Sequence, residues 1–187
     1  MLIPSLKIED ADLVDIHSVN PRILLDIRYA TTNNFTKQKI YDSPKCYARK
    51  HVARKLDAVQ KELEHCGLGL KIWDAYRPLS AQWKLWAIMP DTNYVADPEK
   101  GSRHNRGCAV DVTLVDKNGN ELLMPTEFDT FTEHAHRDYM DLPQEVIKNR
   151  QLLEDIMVHH GFIGMPTEWW HFDDVDWEKY SILDMQI

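Results

Sequence analysis

Glycine and cysteine are scarce in this sequence, with seven and three residues in a chain of 187. The cysteines, Cys46, Cys66 and Cys108, are odd in number and have no C-x-x-C spacing. That argues against a disulfide-stapled secreted domain and fits a reducing compartment. No Gly/Ser-rich linker, internal repeat or low-complexity segment divides the chain, so one domain over residues 1–187 is expected. A chain of this length buries roughly 70% of its unfolded surface and needs no covalent staple. No apolar run approaches the ~20 residues of a membrane span. Met1 to Asp12 carries no charged-then-apolar leader pattern, and a cytoplasmic location is the expectation. Basic residues are outnumbered, 22 against 30 acidic, for a net charge of −8. Neither nucleic acid nor an anionic membrane is therefore expected as the main partner, since both reward basic patches.

What remains is an ordinary globular composition, 43% hydrophobic and 28% charged. A short apolar run at 22–29 reads as a strand, and the polar stretch 30–46 as a loop. Val52, Leu56, Val59, Leu63 and Cys66 recur at helical spacing before Gly67, which predicts a helix over 49–66. A strand over 68–73 then leads into Asp74-Ala-Tyr-Arg-Pro78, and a helix over 79–89 follows with Pro78 at its first position. Residues 108–114 read as a strand, Asp116-Lys-Asn-Gly119 as a hairpin turn, and 121–124 as the returning strand. A helix from Pro143 to Gly161 and strands at 162–164 and 169–173 complete the reading. The mixture predicts an α+β fold, with helices flanking a central antiparallel sheet.

Three segments place polar residues where core sequence is expected. In Gly101-Ser-Arg-His-Asn-Arg-Gly-Cys-Ala-Val-Asp111, the tight Asn-Arg-Gly turn is expected to fold His104 back beside Asp111. A carboxylate within a strand such as Ala-Val-Asp-Val-Thr-Leu costs several kcal/mol if buried alone, so it needs a partner or a metal. Glu168-Trp-Trp-His171 flanks two large aromatics with an acid and an imidazole, and Arg77 falls where a strand ends and a helix begins. Two histidines and one aspartate make a suitable catalytic zinc set that leaves one position open. On that reading His104, Asp111 and His171 are the metal ligands, Glu168 is the general base, and Arg77 stabilises an oxyanion. An ideal strand would point Glu168 and His171 to opposite faces, so a bend or bulge is predicted between them.

These segments, in this order and at these separations, resemble the D-alanyl-D-alanine dipeptidases, zinc peptidases related to the dipeptidase of vancomycin resistance. The resemblance runs from about Leu25-Asp-Ile-Arg-Tyr-Ala-Thr-Thr-Asn-Asn-Phe35 to about Tyr180. It implies the hedgehog/D,D-peptidase-like α+β fold, one Zn2+ per chain on His104, Asp111 and His171, Glu168 as base and Arg77 as the transition-state arginine. It also implies substrate contacts at Tyr29 and Ser102, and an ammonium anchor at Asp129. The implied partner is a small D-amino-acid dipeptide. Lys37 departs from the family pattern, where a glycine is usual. The histidine–aspartate motif alone also fits other D,D-carboxypeptidases and cell-wall endopeptidases, and a non-catalytic zinc module on the same fold is a third reading. Outside these motifs, His134-Ala-His136 reads as surface or supporting residues and Cys108 as a small buried side chain. Trp83 and Trp86 are expected in the core or along the cleft.

Overall fold

A computed structural model describes residues 12–187; the leader-free reading of Met1 to Asp12 falls, apart from Asp12, outside the described residues. The chain begins with β1 (Leu13–Asp15), a single turn α1 (Ile16–Val19) and β2 (Leu24–Leu25). Next come β3 (Tyr47–Arg49), α2 (Lys50–His65), β4 (Leu68–Asp74) and α3 (Leu79–Ile88). β5 (Ala109–Asp116), α4 (Gln144–His159), β6 (Phe162–Met165) and β7 (Glu168–Asp174) complete the order. The main sheet runs β2-β4-β5-β7-β6, and β1 pairs with β3 in a separate ribbon. Within the main sheet β2 lies parallel to β4, while the pairs β4–β5, β5–β7 and β6–β7 are antiparallel. The α+β expectation is met, with one parallel edge strand.

α2 forms because its apolar positions fall on one stripe: Val52, Ala53, Leu56, Val59 and Leu63 are fully buried. Leu70 and Ile72 of β4, and Val110, Val112 and Leu114 of β5, continue that core. Pro78 is the N-cap of α3, one position before the expected site, and helical residues begin at Leu79. The apolar run at 22–29 yields only two strand residues before a 3-10 turn at Arg28–Ala30.

The returning strand expected at 121–124 is reduced to one bridge, Val115 to Glu121, and a bond from Leu122 N to Leu114 O of 3.0 Å. Pro125, directly after this segment, offers no N–H to continue a ladder. The loop at 30–46 is irregular yet anchored. Asn34 Nδ2 donates to Arg28 O, Thr31 O and Gln38 O at 3.1, 2.8 and 2.9 Å. Lys37 takes φ +56°, a left-handed conformation that glycine adopts without a Cβ penalty. Trp86 packs against the core, but Trp83 is 47% exposed and lines neither compartment of the cavity around His104 and Glu168, so it meets neither part of the expectation.

Candidate active site

Asp111 and His171 meet across the sheet because they are register partners on β5 and β7, and Asp74 of β4 lies opposite Asp111 on the other side. A polar row thus crosses three strands at one end of the sheet. His104 joins it from a 3-10 turn at His104–Arg106 that closes on Gly107 at φ +69°. A Cβ at Gly107 would stand 2.7 Å from Leu13 Cδ2 and 3.2 Å from the Arg49 backbone nitrogen, so the turn requires glycine.

The expected irregularity beside Glu168 is present. Gly164 pairs with Phe172 but Met165 pairs with Glu168, so the register of β6 on β7 slips there. The slip is held by burial. Trp169 and Trp170 are buried, and the Trp169 ring meets those of Trp73 and Trp170 edge-on at 5.7 and 5.6 Å. Trp169 Nε1 donates to Thr126 Oγ1 at 3.0 Å. Glu168 and His171 consequently face the same space, with Glu168 Oε2 4.0 Å from His171 Nδ1.

The donors converge. His171 Nδ1 lies 3.0 Å from Asp111 Oδ1 and 3.2 Å from His104 Nε2, and His104 Nε2 lies 3.4 Å from Asp111 Oδ2. Ligand atoms of all three residues fall within 4.8 Å of one another. The outward-facing nitrogen of each ring is engaged elsewhere. His104 Nδ1 donates to Ala75 O at 2.7 Å, and His171 Nε2 donates to Asp173 Oδ1 at 2.9 Å. His104 Nε2 and His171 Nδ1 are therefore the nitrogens left to accept a cation. Two imidazoles and a carboxylate, fixed from behind, suit a zinc ion with an open position.

Burial works against ionising Asp111, but the charge on His104 and hydrogen bonds from both histidines hold it well below the usual carboxylate range. Burial likewise opposes charge on His171, yet hydrogen bonds to Asp111 and Asp173 raise it to about 10. Both features mark a locus that attracts positive charge. Glu168 is pushed up to about 7, chiefly by burial.

Tyr29, Arg77, Ser102, His104, Asp111, Asp129, Glu168 and His171 all line one inner cavity of about 70 Å³. Arg77 is both a cavity wall and an ion-pair partner. Its Nε and Nη2 donate to Asp74 Oδ2 at 3.0 and 2.7 Å, and its Nη1 donates to Gln82 Oε1 at 2.9 Å. Burial alone would lower its pKa, but Asp74 keeps it charged. Tyr29 OH donates to Asp129 Oδ2 at 3.0 Å. Burial, and then the charge of Asp111, raises the Asp129 carboxyl well above its ordinary value. The main-chain N–H of His104 donates to Ser102 Oγ at 3.2 Å. A larger outer compartment of about 320 Å³ shares Tyr94, Phe131 and Glu168 with the inner cavity and includes His136.

Sequence reading missed three supporting residues. Gln82 fixes Arg77, Tyr41 OH donates to Asp74 Oδ1 at 2.7 Å, and Asp173 holds His171. Only Asp173 had a signal, because a residue two beyond His171 on a strand shares its face. A second group of metal-type donors, His51, Cys108 and Asp174, is closed by other partners. Lys55 Nζ lies 2.6 Å from Asp174 Oδ1 and His51 Nε2 bonds Asp174 Oδ2, so the carboxylate already has its countercharge. Burial pushes the Cys108 thiol up to about 12. No helix among the described residues is long and apolar enough to cross a membrane.

Residues 9–186 match peptidase M15, described as D-ala-D-ala dipeptidase. The D-alanyl-D-alanine dipeptidase of Escherichia coli K12 is 38% identical over 175 residues, covering 94% of this chain and 91% of the relative. The enzyme of that name from Enterococcus faecalis is 32% identical, covering 81% and 85% of the two chains. Its namesake in Streptomyces coelicolor is also 32% identical, over 79% and 83%. The family match spans the whole site and nearly all of the fold, and the chain belongs to the D-ala-D-ala dipeptidase family of metallopeptidases, peptidase M15.

Proposed function

We propose that the protein hydrolyses D-Ala-D-Ala with one zinc ion held by His104 Nε2, His171 Nδ1 and Asp111. The observation that carries this reading is the convergence of those donors, all within 4.8 Å, on a cavity that also contains Glu168 and Arg77. Bound there, zinc supplies a Lewis acid for the scissile carbonyl and lowers the pKa of water at the site. Glu168 takes the proton from the attacking water and returns it to the leaving amine. Its carboxylate stands 4.0 Å from His171 Nδ1, beside the place where the water would be deprotonated. Arg77, locked by Asp74 and Gln82, directs its positive charge to the oxygen on which negative charge develops.

Asp129 receives the substrate ammonium, whose positive charge offsets the burial that raises the free carboxyl. Tyr29 occupies Oδ2, so Oδ1 is left for the amine. Ser102 Oγ already accepts from His104 N, so its hydroxyl hydrogen is available to a substrate carboxylate. A cytoplasmic setting is part of the proposal, in keeping with three free cysteines.

The test is turnover of D-Ala-D-Ala by the purified protein, metal-free and zinc-loaded, beside its N-acetylated form. Turnover is expected only with zinc and only on the free amine. Hydrolysis no faster than buffer would end the substrate assignment, and equal cleavage of the blocked peptide would favour a carboxypeptidase or endopeptidase. E168A is expected to retain zinc and lose about 10²–10⁴-fold in kcat.

A further inference from the structure

The two histidines of the cluster are oriented by different means. His104 is fixed by a main-chain acceptor, Ala75 O at 2.7 Å, which comes with the fold itself. His171 depends on a side chain instead. Its Nε2 is bonded to Asp173 Oδ1, 2.9 Å away and two residues along β7. A half-turn of the His171 ring about its outer bond would exchange Nδ1 with a carbon and leave Asp111 facing C–H. A partner on Nε2 resists that turn and decides which nitrogen keeps its lone pair.

Asp173 is itself braced. Its Oδ2 lies 3.2 Å from Arg103 Nη1, and Arg103 stacks over Trp177 with its guanidinium carbon 4.6 Å from the ring centre. The main chain of Arg103 is pinned as well, since Arg103 O accepts from Arg106 N and Cys108 N, both at 3.1 Å. The Asp173 carboxylate is 10% exposed, so its bond to His171 forms largely out of water, while the Arg103 side chain that braces it stays 39% exposed.

We propose that Asp173, braced by Arg103, is a positioning residue that fixes the His171 ring so that Nδ1 faces Asp111 and His104. The inference rests on the zinc reading above. It makes metal affinity depend on a residue that lies outside the sequence motifs and touches neither metal nor substrate.

The experiment titrates metal-free wild type, D173N, D173A and R103M with zinc against a chromogenic chelator, and repeats the series with cobalt(II) as a visible-absorption probe. D173A is expected to bind zinc about 10–100-fold more weakly, with a cobalt spectrum altered from wild type. D173N, whose amide oxygen still accepts from Nε2, falls between the two, and R103M weakens binding less than D173A. At saturating zinc the D173A variant loses kcat while KM for the dipeptide stays within about twofold, because the Asp129 anchor is untouched. Thermal unfolding of the metal-free proteins verifies folding, and D173N decides the matter if D173A does not fold. Equal zinc affinity and equal cobalt spectra in wild type and the folded variants would overturn the role of Asp173. A wild type that takes up no zinc would overturn the zinc reading itself, a result separate from the first.

Discussion

Asp111 on β5 and His171 on β7 are direct cross-strand partners, and their side chains meet at 3.0 Å between Oδ1 and Nδ1. Neighbouring side chains on adjacent antiparallel strands stand about 4.5–5.5 Å apart at Cβ, close enough for two polar groups to meet without distorting the backbone. The sheet therefore supplies two of the three donors as a rigid pair. The Gly107 turn supplies the third.

Replacing Glu168 by glutamine should change the pH dependence of stability in the metal-free protein. Glu168 ionises at about 7 when folded, above its ordinary 4.5. Its contribution is therefore fully present below pH 4.5 and is lost as pH rises through 7. Between pH 4.5 and 8 the wild type should lose about 3 kcal/mol relative to E168Q, since each tenfold change in proton affinity is worth about 1.4 kcal/mol. Chemical denaturation at several pH values measures the difference. Parallel curves would remove the raised carboxyl.

Arg77 neutralises an otherwise buried carboxylate as well as lining the cavity. R77M should destabilise the fold by about 3–5 kcal/mol, because Asp74 is fully buried and would keep its Tyr41 hydrogen bond but lose its guanidinium. The double variant D74N/R77M should recover most of that loss, since the uncompensated charge is gone. Turnover should stay down by about 10²–10³-fold in both variants. Recovery of activity along with stability would take Arg77 out of the reaction.

Asp129 and Tyr29 should act on substrate binding. D129N is expected to raise KM for the free dipeptide by about 10–100-fold, the worth of one charge-assisted hydrogen bond, with kcat little changed. Asparagine tolerates the left-handed backbone at this position, φ +57°, so the variant should fold. Y29F should raise KM less, by about 2–10-fold, because it removes only the bond that orients Asp129. An unchanged KM in D129N would refute the anchor.

Two left-handed positions should respond in opposite directions. G107A should lose about 1–3 kcal/mol, since its φ of +69° and the 2.7 Å approach of Leu13 Cδ2 leave a methyl group no room. K37G should gain up to about 1 kcal/mol, because relief of strain at φ +56° exceeds the added chain entropy of glycine. Thermal melts of both variants against wild type test the pair. A stabilised G107A would mean that the His104 turn does not depend on its glycine.

Elements with strong periodicity, and the polar residues set in core-like surroundings, were legible from the order of residues. The stripe of α2 could be read because burial at helical spacing is a local property. His104, Asp111, Glu168 and His171 stood out because a charged group in an apolar run must have a partner. Even the irregularity at Glu168 followed from strand alternation, which would otherwise have separated two residues that now lie 4.0 Å apart.

Which partners those residues have emerged only from the folded chain. The shortened strand at 121–124 and the exposure of Trp83 both depend on what packs beside each segment; neither is written in the local pattern. Gln82 lies only five residues beyond Arg77, but it reaches back there only once α3 has turned away from Pro78, and Tyr41 behind Asp74 comes from a distant loop. The scarcity of glycine also takes on meaning only in three dimensions. Gly107 sits where the chain must turn with no Cβ, while Lys37 bears the same left-handed backbone without that freedom. Local chemistry selects the residues that require company, and long-range packing, which closes loops across the chain, decides what that company is.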